Sequence, residues 1–455
     1  MTLSEQLAEY IIDVRYEDVP KDVVEFTKLC IVDYYGSLLK GKDAAPVQMM
    51  KEVVQLLGGE EQATSATGWK SSVTNVAFIN GGASHVIELD DIHKASIVHA
   101  ATVIMPAAIA VAEWKNLSGK ELIEAIIVGY EVAFRVGETV TPSHYFYFHN
   151  TATCGTFGAA AAVAKLLGLT KEQIVEAFGS AGTQAAGLWE FIEDGAMSKQ
   201  LHPGKAAMNG ILSALLAQKG FTGATKIFEG RRGFFEAMAA QYDVTRMTEN
   251  LGEQYKIMEN AFKVHASCRH THAAMDLALQ LHDKVITQGT EQIKKIHVGA
   301  YKVALDITDA DNPQTIYAAK FSMQFCVALA LLTGKGGFTA FNEQTLQDEA
   351  IRQLMERLTV QIDEQIDAQY PHEWGAKIQV VWQDGTVDEM QSAFPKGDPE
   401  NPLTRQEFIN KFHELVPLTD AHKEQIITQL LRLEEIQVQQ LIGSLHPVMD
   451  ISQIS

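Results

Sequence analysis

Apolar positions recur at helical spacing through the first 220 residues. AEYIIDV, VEFTKLCIVDYYGSLL, NVAFINGGASHVIEL, ATVIMPAAIAVAEW, ELIEAIIVGYEVAFRV and GTFGAAAAVAKLLGL each place an apolar stripe on one face of a helix. These segments are rich in Ala and Gly, which lets helix backbones approach closely. Thr170, followed by Glu172, and Ser118, before Lys120 and Glu121, read as helix starts, because a hydroxyl there accepts an otherwise unpartnered N–H. Proline is sparse in this half: only Pro20, Pro46, Pro106, Pro142 and Pro203 precede residue 312. Few breakers over a long stretch predict a helical domain.

The texture changes after about residue 262. KKIHVGAYKVAL and LTVQIDEQI alternate like strands, and AKIQVVWQDGTVDEMQSAF reads as two strands around an Asp384-Gly385 turn. FSMQFCVALALLTG and QTLQDEAIRQLMERL between them read as helices. PKGDPENPLT, residues 395–404, ends this α+β region as a loop. RQEFINKFHEL and DAHKEQIITQLLRLEE then return to helical spacing. The pattern predicts a helical domain over 1–262, an α+β domain over 263–404, and C-terminal helices over 405–455. A chain of 455 residues fits two domains, since single cores stop growing near ~250–300 residues.

Charge narrows the partners. With 37 basic and 57 acidic residues the net charge is −20, a field that repels nucleic acid and anionic membranes. An anionic ligand then needs a local cationic cluster. No apolar run reaches the ~18–20 residues of a membrane span, and early acids at Glu5, Glu9 and Asp13 do not suit a signal peptide. Cys30, Cys154, Cys268 and Cys326 are scattered, with no CxxC, which suits a reducing, cytoplasmic setting and provides no iron–sulfur signature. Nucleotide loops are not recognisable: GSLLKGKD ends in Asp43 where a phosphate loop needs Ser or Thr.

Candidate chemistry concentrates in histidine. Nine of fifteen lie between His85 and His272, in HVIELDDIHKASIVH, SHYFYFHNTATCG, MSKQLHPGKAA and FKVHASCRHTH. Imidazoles work as acids or bases near neutral pH. The last two segments contain Lys199, Lys205, Lys263 and Arg269 with no Asp or Glu, so they are candidates for holding an anion against the global field. A zinc reading would use His93 and His99 with Asp91, or His270 with His272. No HExxH or structural zinc spacing supports it, and no metal is expected.

The motifs together resemble the MmgE/PrpD family. NGGASHVIELDDIHKASIVHAATVIMPAAIAVAE, HNTATCGTFGAAAAVAKLLGL, GLWEFIEDGAMSKQLHPGKAAMNGILSALLAQKGFTGATKIFEG, FKVHASCRHTHAAMDLALQL, KFSMQFCVALALLTG and PKGDPENPLT follow in that family's order over nearly the whole chain. The family includes 2-methylcitrate dehydratase, cis-aconitate decarboxylase and iminodisuccinate epimerase. The resemblance implies a mainly α fold: a large all-helical domain with an inserted α+β lid domain, a homodimer, and a cofactor-free site in the cleft between domains. It implies catalytic roles for Asp91, His99, His149, Lys199 and His272. Arg269, His202, Cys268 and Tyr145 would bind a small anionic polycarboxylate. The activity implied is a lyase reaction, dehydration or decarboxylation, with an epimerase or racemase of an imino- or amino-dicarboxylate as the alternative. In these chemistries Asp91 is expected to orient a histidine, and Lys199 and Arg269 to clamp carboxylates.

Overall fold

The computed structural model describes residues 1–449 and is mainly α. It divides into two compact units. One comprises residues 1–260 and the segment from Thr404 onward; the other spans Ala261–Leu403.

The first unit is built from α1 (Leu3–Asp13), α2 (Lys21–Gly41), α3 (Ala45–Leu57), α4 (Val73–His85), α5 (Ala101–Lys115), α6 (Gly119–Val140), α7 (Asn150–Leu166), α8 (Lys171–Gly182), the short α9 (Phe191–Asp194) and α10 (Ser198–Gln218). Ser118 and Thr170 begin α6 and α8 as read from the sequence. Each closes a capping box, Ser118 with Glu121 and Thr170 with Gln173. Every residue of α5 from Ala101 to Ala112 is buried, so this helix is apolar on all sides and lies inside the unit.

Small residues set the approach of α4 to α10. A Cβ on Gly204 would lie 2.1 Å from the Phe78 carbonyl oxygen, and one on Gly81 would lie 2.6 Å from the Gly204 Cα. Gly204 is therefore a close-approach residue. Gly195 is the other kind: its φ is +68° and a Cβ there would meet open space, so it serves a turn. The close crossing brings His85, the last residue of α4, toward Lys199 and His202 in the first turns of α10.

The C-terminal helices Arg405–Leu415, Asp420–Leu431 and Val438–Met449 pack into the same unit. The Lys411 ammonium donates to the buried Asp33 carboxylate (2.7 Å) and to the Leu89 carbonyl (2.6 Å). That second contact pins the backbone immediately before Asp90.

The second unit carries a four-stranded sheet. Ile293–Ala300 pairs in parallel with Leu358–Ile362 and antiparallel with Ala376–Trp382, which pairs in turn with Val387–Ser392. The hairpin around Asp384-Gly385 is as the sequence indicates, with Gly385 at φ +86°. Three elements differ from the sequence reading. The strand in KKIHVGAYKVAL stops at Ala300, and Lys302–Thr308 is helical. LTVQIDEQI likewise stops at Ile362, because the Asp363 carboxylate accepts from the N–H groups of Gln365 and Ile366 and starts a helical turn. QTLQDEAIRQLMERL forms two helices, Glu343–Leu346 and Glu349–Met355, the second capped by Asp348.

Candidate active site

Four imidazoles gather in the helical unit: His85 at the end of α4, His99 just before α5, His149 as the N-cap of α7, and His202 in α10. Ring centroids are 5.1 Å apart for His85–His99, 5.8 Å for His85–His149, 6.2 Å for His99–His149 and 5.3 Å for His149–His202. All four are buried. Three helix N-termini, those of α5, α7 and α10, begin at or beside this cluster. Their dipoles favour negative charge there.

Asp90 organises the histidines. Its Oδ2 accepts from the His85 Nδ1 (2.6 Å) and lies 3.0 Å from the His99 Nδ1. The His99 Nδ1 also reaches the Asp91 backbone carbonyl at 2.6 Å. All these partners are acceptors, so both imidazoles carry a proton on Nδ1. The His85 Nε2 is buried with no hydrogen-bond partner.

The carboxylate of Asp91 does something other than expected. It accepts from the Tyr130 hydroxyl (2.9 Å), the Asn260 amide (2.8 Å) and the Ala101 N–H (3.1 Å), so it caps α5 and holds no imidazole. Histidine orientation falls to its neighbour Asp90. Burial, with the adjacent Asp90 charge, pushes the Asp91 carboxyl up to about 7.

Lys199 is buried and forms an ion pair with the equally buried Glu88. The pairing corrects the local charge count, which saw no acid near Lys199. Glu88 sits at φ +60°, a left-handed conformation costly for a side chain with a Cβ. His149 and His202 meet Nδ1 to Nδ1 at 3.1 Å. Burial, then His202, His85, His99 and Lys199, hold the His149 pKa well below the usual imidazole range. Burial, with His85, Lys205 and Lys199, lowers His202 to about 4. Trp189 covers His149 with ring centroids 4.9 Å apart, and Tyr145 packs on Trp189 at 5.1 Å. Tyr145 is thus one ring removed from His149.

Arg269, His272 and Cys268 lie in the second unit. The Arg269 guanidinium donates to the Phe262 and Lys396 carbonyls (both 3.1 Å), to the buried Asp398 carboxylate and to the His272 Nδ1 (2.9 Å). The His272 Nε2 faces the Ser267 carbonyl at 3.4 Å. Arg269 is therefore neutralised within the protein, and His272 has both ring nitrogens engaged and is fully buried. Arg269 was expected as a carboxylate clamp and His272 in acid–base work; in this structure both are held by these protein contacts. Cys268 is buried, and its N–H donates to the Lys320 carbonyl (2.8 Å). His270 donates or accepts at the Tyr301 hydroxyl (2.6 Å) and stacks on Trp374.

Among the described residues, two groups of side chains have metal-ligand spacing: His85, Asp90 and His99, and His93, Glu138 and Glu259. In the first, imidazole N–H groups already saturate the shared Asp90 oxygen. In the second, the Lys256 ammonium sits 2.9 Å from Glu138 and 3.2 Å from Glu259, where a cation would go. The pairings weighed from sequence are not formed: His93 joins Ser96 and Glu259, and His270 and His272 have separate partners.

The buried imidazoles make stability acid-sensitive. Burial lowers His144 and His202 to about 4 and His270 to about 3. Each stays neutral in the folded chain, while the unfolded chain takes up its proton below ~6.5. Stability is therefore complete above ~6.5 and is lost as pH falls toward the folded values. Asp91, raised to about 7, acts with the opposite sign and offsets one proton. His149 and His272, held well below the usual imidazole range by burial, add in the same sense as the other histidines, so stability falls as pH drops between about 6 and 4.5. Denaturant midpoints at pH 7.0 and 5.5 check this, and equal or rising stability at 5.5 would contradict it.

Fold and site together define a mainly α protein whose helical unit encloses a buried cluster of imidazoles, carboxylates and an ammonium group. The MmgE/PrpD N-terminal domain model matches residues 5–247 and the MmgE/PrpD C-terminal domain model matches 265–434, so the chain belongs to the MmgE/PrpD family. It is 27% identical over 457 residues to a cis-aconitate decarboxylase-like protein of Aspergillus oryzae, covering 94% of each chain. Its identity to the cis-aconitate decarboxylase of Mus musculus is 24% over 459 residues, covering 96% of this chain and 91% of the relative. With the 2-methylcitrate dehydratase of Salmonella typhimurium it shares 24% over 219 residues, 47% of this chain and 45% of that one.

The sequence reading singled out His99, His149, Lys199 and His202, and the fold brings these four together. His85 and Asp90 were named among the histidine clusters without a role, and Glu88 and Trp189 were not singled out. His85 and Asp90 stood in the same histidine segment, and their spacing of five residues was the available signal.

Proposed function

We propose that this protein is a lyase acting on a small di- or tricarboxylate, by dehydration of the 2-methylcitrate type or decarboxylation of the cis-aconitate type. The observation that carries the reading is the cluster of buried imidazoles at three helix N-termini, two of them, His149 and His202, held neutral by burial, with Lys199 beside them. Proton removal beside a carboxylate, or loss of CO₂, builds negative charge on an enolate-like group. Preorganised N–H dipoles and an ammonium stabilise that charge best where water is excluded. Neutral bases suit the first step, and the imidazolium formed suits the second. The roles assigned are proton transfer by His149 and His99, charge stabilisation by Lys199, orientation of His99 by Asp90, and helix anchoring by Asp91.

The test incubates the protein with a panel of polycarboxylates in deuterated water and follows alkene absorbance, CO₂ release and α-proton exchange. Alkene formation or CO₂ is expected, with full activity after chelation. Exchange without either product would indicate the epimerase alternative, and absence of all three signals would overturn the reading. Exposed Phe146, Tyr147, Leu188, Ile192 and Met197 lie on the helical unit, apolar surface of the sort a homodimer covers. Sedimentation at micromolar concentration checks that assembly.

A further inference from the structure

The His149–His202 contact joins two like nitrogens. Nδ1 to Nδ1 at 3.1 Å is a hydrogen bond only if one ring donates and the other accepts, so a single proton lies between them. Each placement sets the far side of the ring. With the proton on His149, the His149 Nε2 is bare and basic. With the proton on His202, a neutral His149 carries its proton on Nε2 and is an acid. Moving one proton across 3.1 Å therefore converts His149 from base to acid without moving either ring.

We propose that His202 is the relay partner of His149, receiving its Nδ1 proton when His149 takes a proton from the substrate carbon and returning it when the reaction needs an acid. The inference rests on the lyase reading for its substrate, while the shared proton itself stands on the geometry alone. In the forward step the C–H bond breaks and its electron pair stays on carbon. The proton forms an N–H bond at His149 Nε2, the His149 Nδ1–H bond breaks, and an N–H bond forms at His202 Nδ1. His149 ends neutral with Nε2–H, and His202 holds the positive charge. In a dehydration the Nε2 proton then joins the departing hydroxide as water. The His202 Nδ1 proton goes back to His149, and the pair is restored.

The surroundings suit a transient carrier. His202 faces His149, His85, Lys199 and Lys205, with Phe191 against its ring. His149 faces His202, His85, His99 and Lys199, with Trp189 against its ring. Cations around His202 disfavour a lasting imidazolium, so the proton is handed back quickly. Both rings are held in place. The His149 N–H donates to the Gly187 carbonyl at 3.0 Å, and His202 lies in the helix whose close crossing requires Gly204.

The first experiment is histidine-selective ¹⁵N NMR of the full-length protein at pH 7.5. One Nδ1-protonated ring in the pair, or averaged Nδ1 shifts on both, is expected. Two rings protonated only on Nε2 would overturn the proposal, whatever the substrate proves to be. The second is His202→Gln, with His202→Asn as the alternative if the first does not fold. Either keeps a polar contact to His149 but cannot carry a proton. Expected are a loss of about 10–100-fold in kcat, KM within about twofold, and a changed acid limb of the kcat–pH profile. Wild-type kcat and an unchanged profile in a folded variant would sink the relay. If no polycarboxylate is turned over while NMR shows the shared proton, the lyase reading fails, the relay in that reaction fails with it, and the shared proton alone stands.

Discussion

His149→Gln is expected to lower kcat by about 10²–10⁴-fold, the range that a positioned acid–base group supplies. His149 is the N-cap residue of α7, so its backbone is set by the helix start, and its ring meets the His202 Nδ1. It contacts His85, His99, His202 and Trp189. Its pKa lies well below the usual value, so it is a neutral base throughout the physiological range. Gln retains hydrogen bonding and comparable volume but cannot accept a proton from carbon. Stability should change little or rise slightly at pH 5.5, because one buried imidazole that resists protonation is gone. Turnover within threefold of wild type, in a folded variant, would remove His149 from the chemistry.

The helices were readable because their signals are local. Ser118 and Thr170 announce α6 and α8 within four residues, and the apolar run from Ala101 to Ala112 marks a fully buried helix. Strand ends were harder: Asp363 turns the chain into a helical turn with a side-chain cap that outweighs the alternation before it. Site partners were harder still, because they are non-local. Glu88 neutralises Lys199 from 111 residues away, and Asp398 neutralises Arg269 from 129 residues away. A count of acids inside each motif could see neither. Between adjacent Asp90 and Asp91, only the fold decides which carboxylate meets the imidazoles. The chain turns there so that one side chain faces His85 and the other faces Tyr130 and α5.

Lys199→Met should cost about 3–5 kcal/mol of stability and nearly all turnover, because it leaves Glu88 as a buried charge without its ammonium partner. Loss of turnover alone would then be ambiguous, since a disordered site is also inactive. The double variant Glu88→Gln/Lys199→Met separates the two causes. Gln keeps the length of Glu88 and removes its charge, so the desolvation penalty of an unpaired carboxylate disappears and most of the stability should return. The left-handed backbone at Glu88 remains, so the double variant should stay somewhat below wild type. Turnover should not return, because the enolate-like charge still lacks its cation, a loss worth about 3–4 kcal/mol in the transition state. Denaturant melts and steady-state kinetics on the two single variants and the double variant complete the cycle. Recovery of both stability and turnover in the double variant would make Lys199 a structural partner of Glu88 and nothing more. A single Lys199→Met variant as stable as wild type would show that the Glu88 charge finds water or another partner, and the buried pair would lose its place in the site.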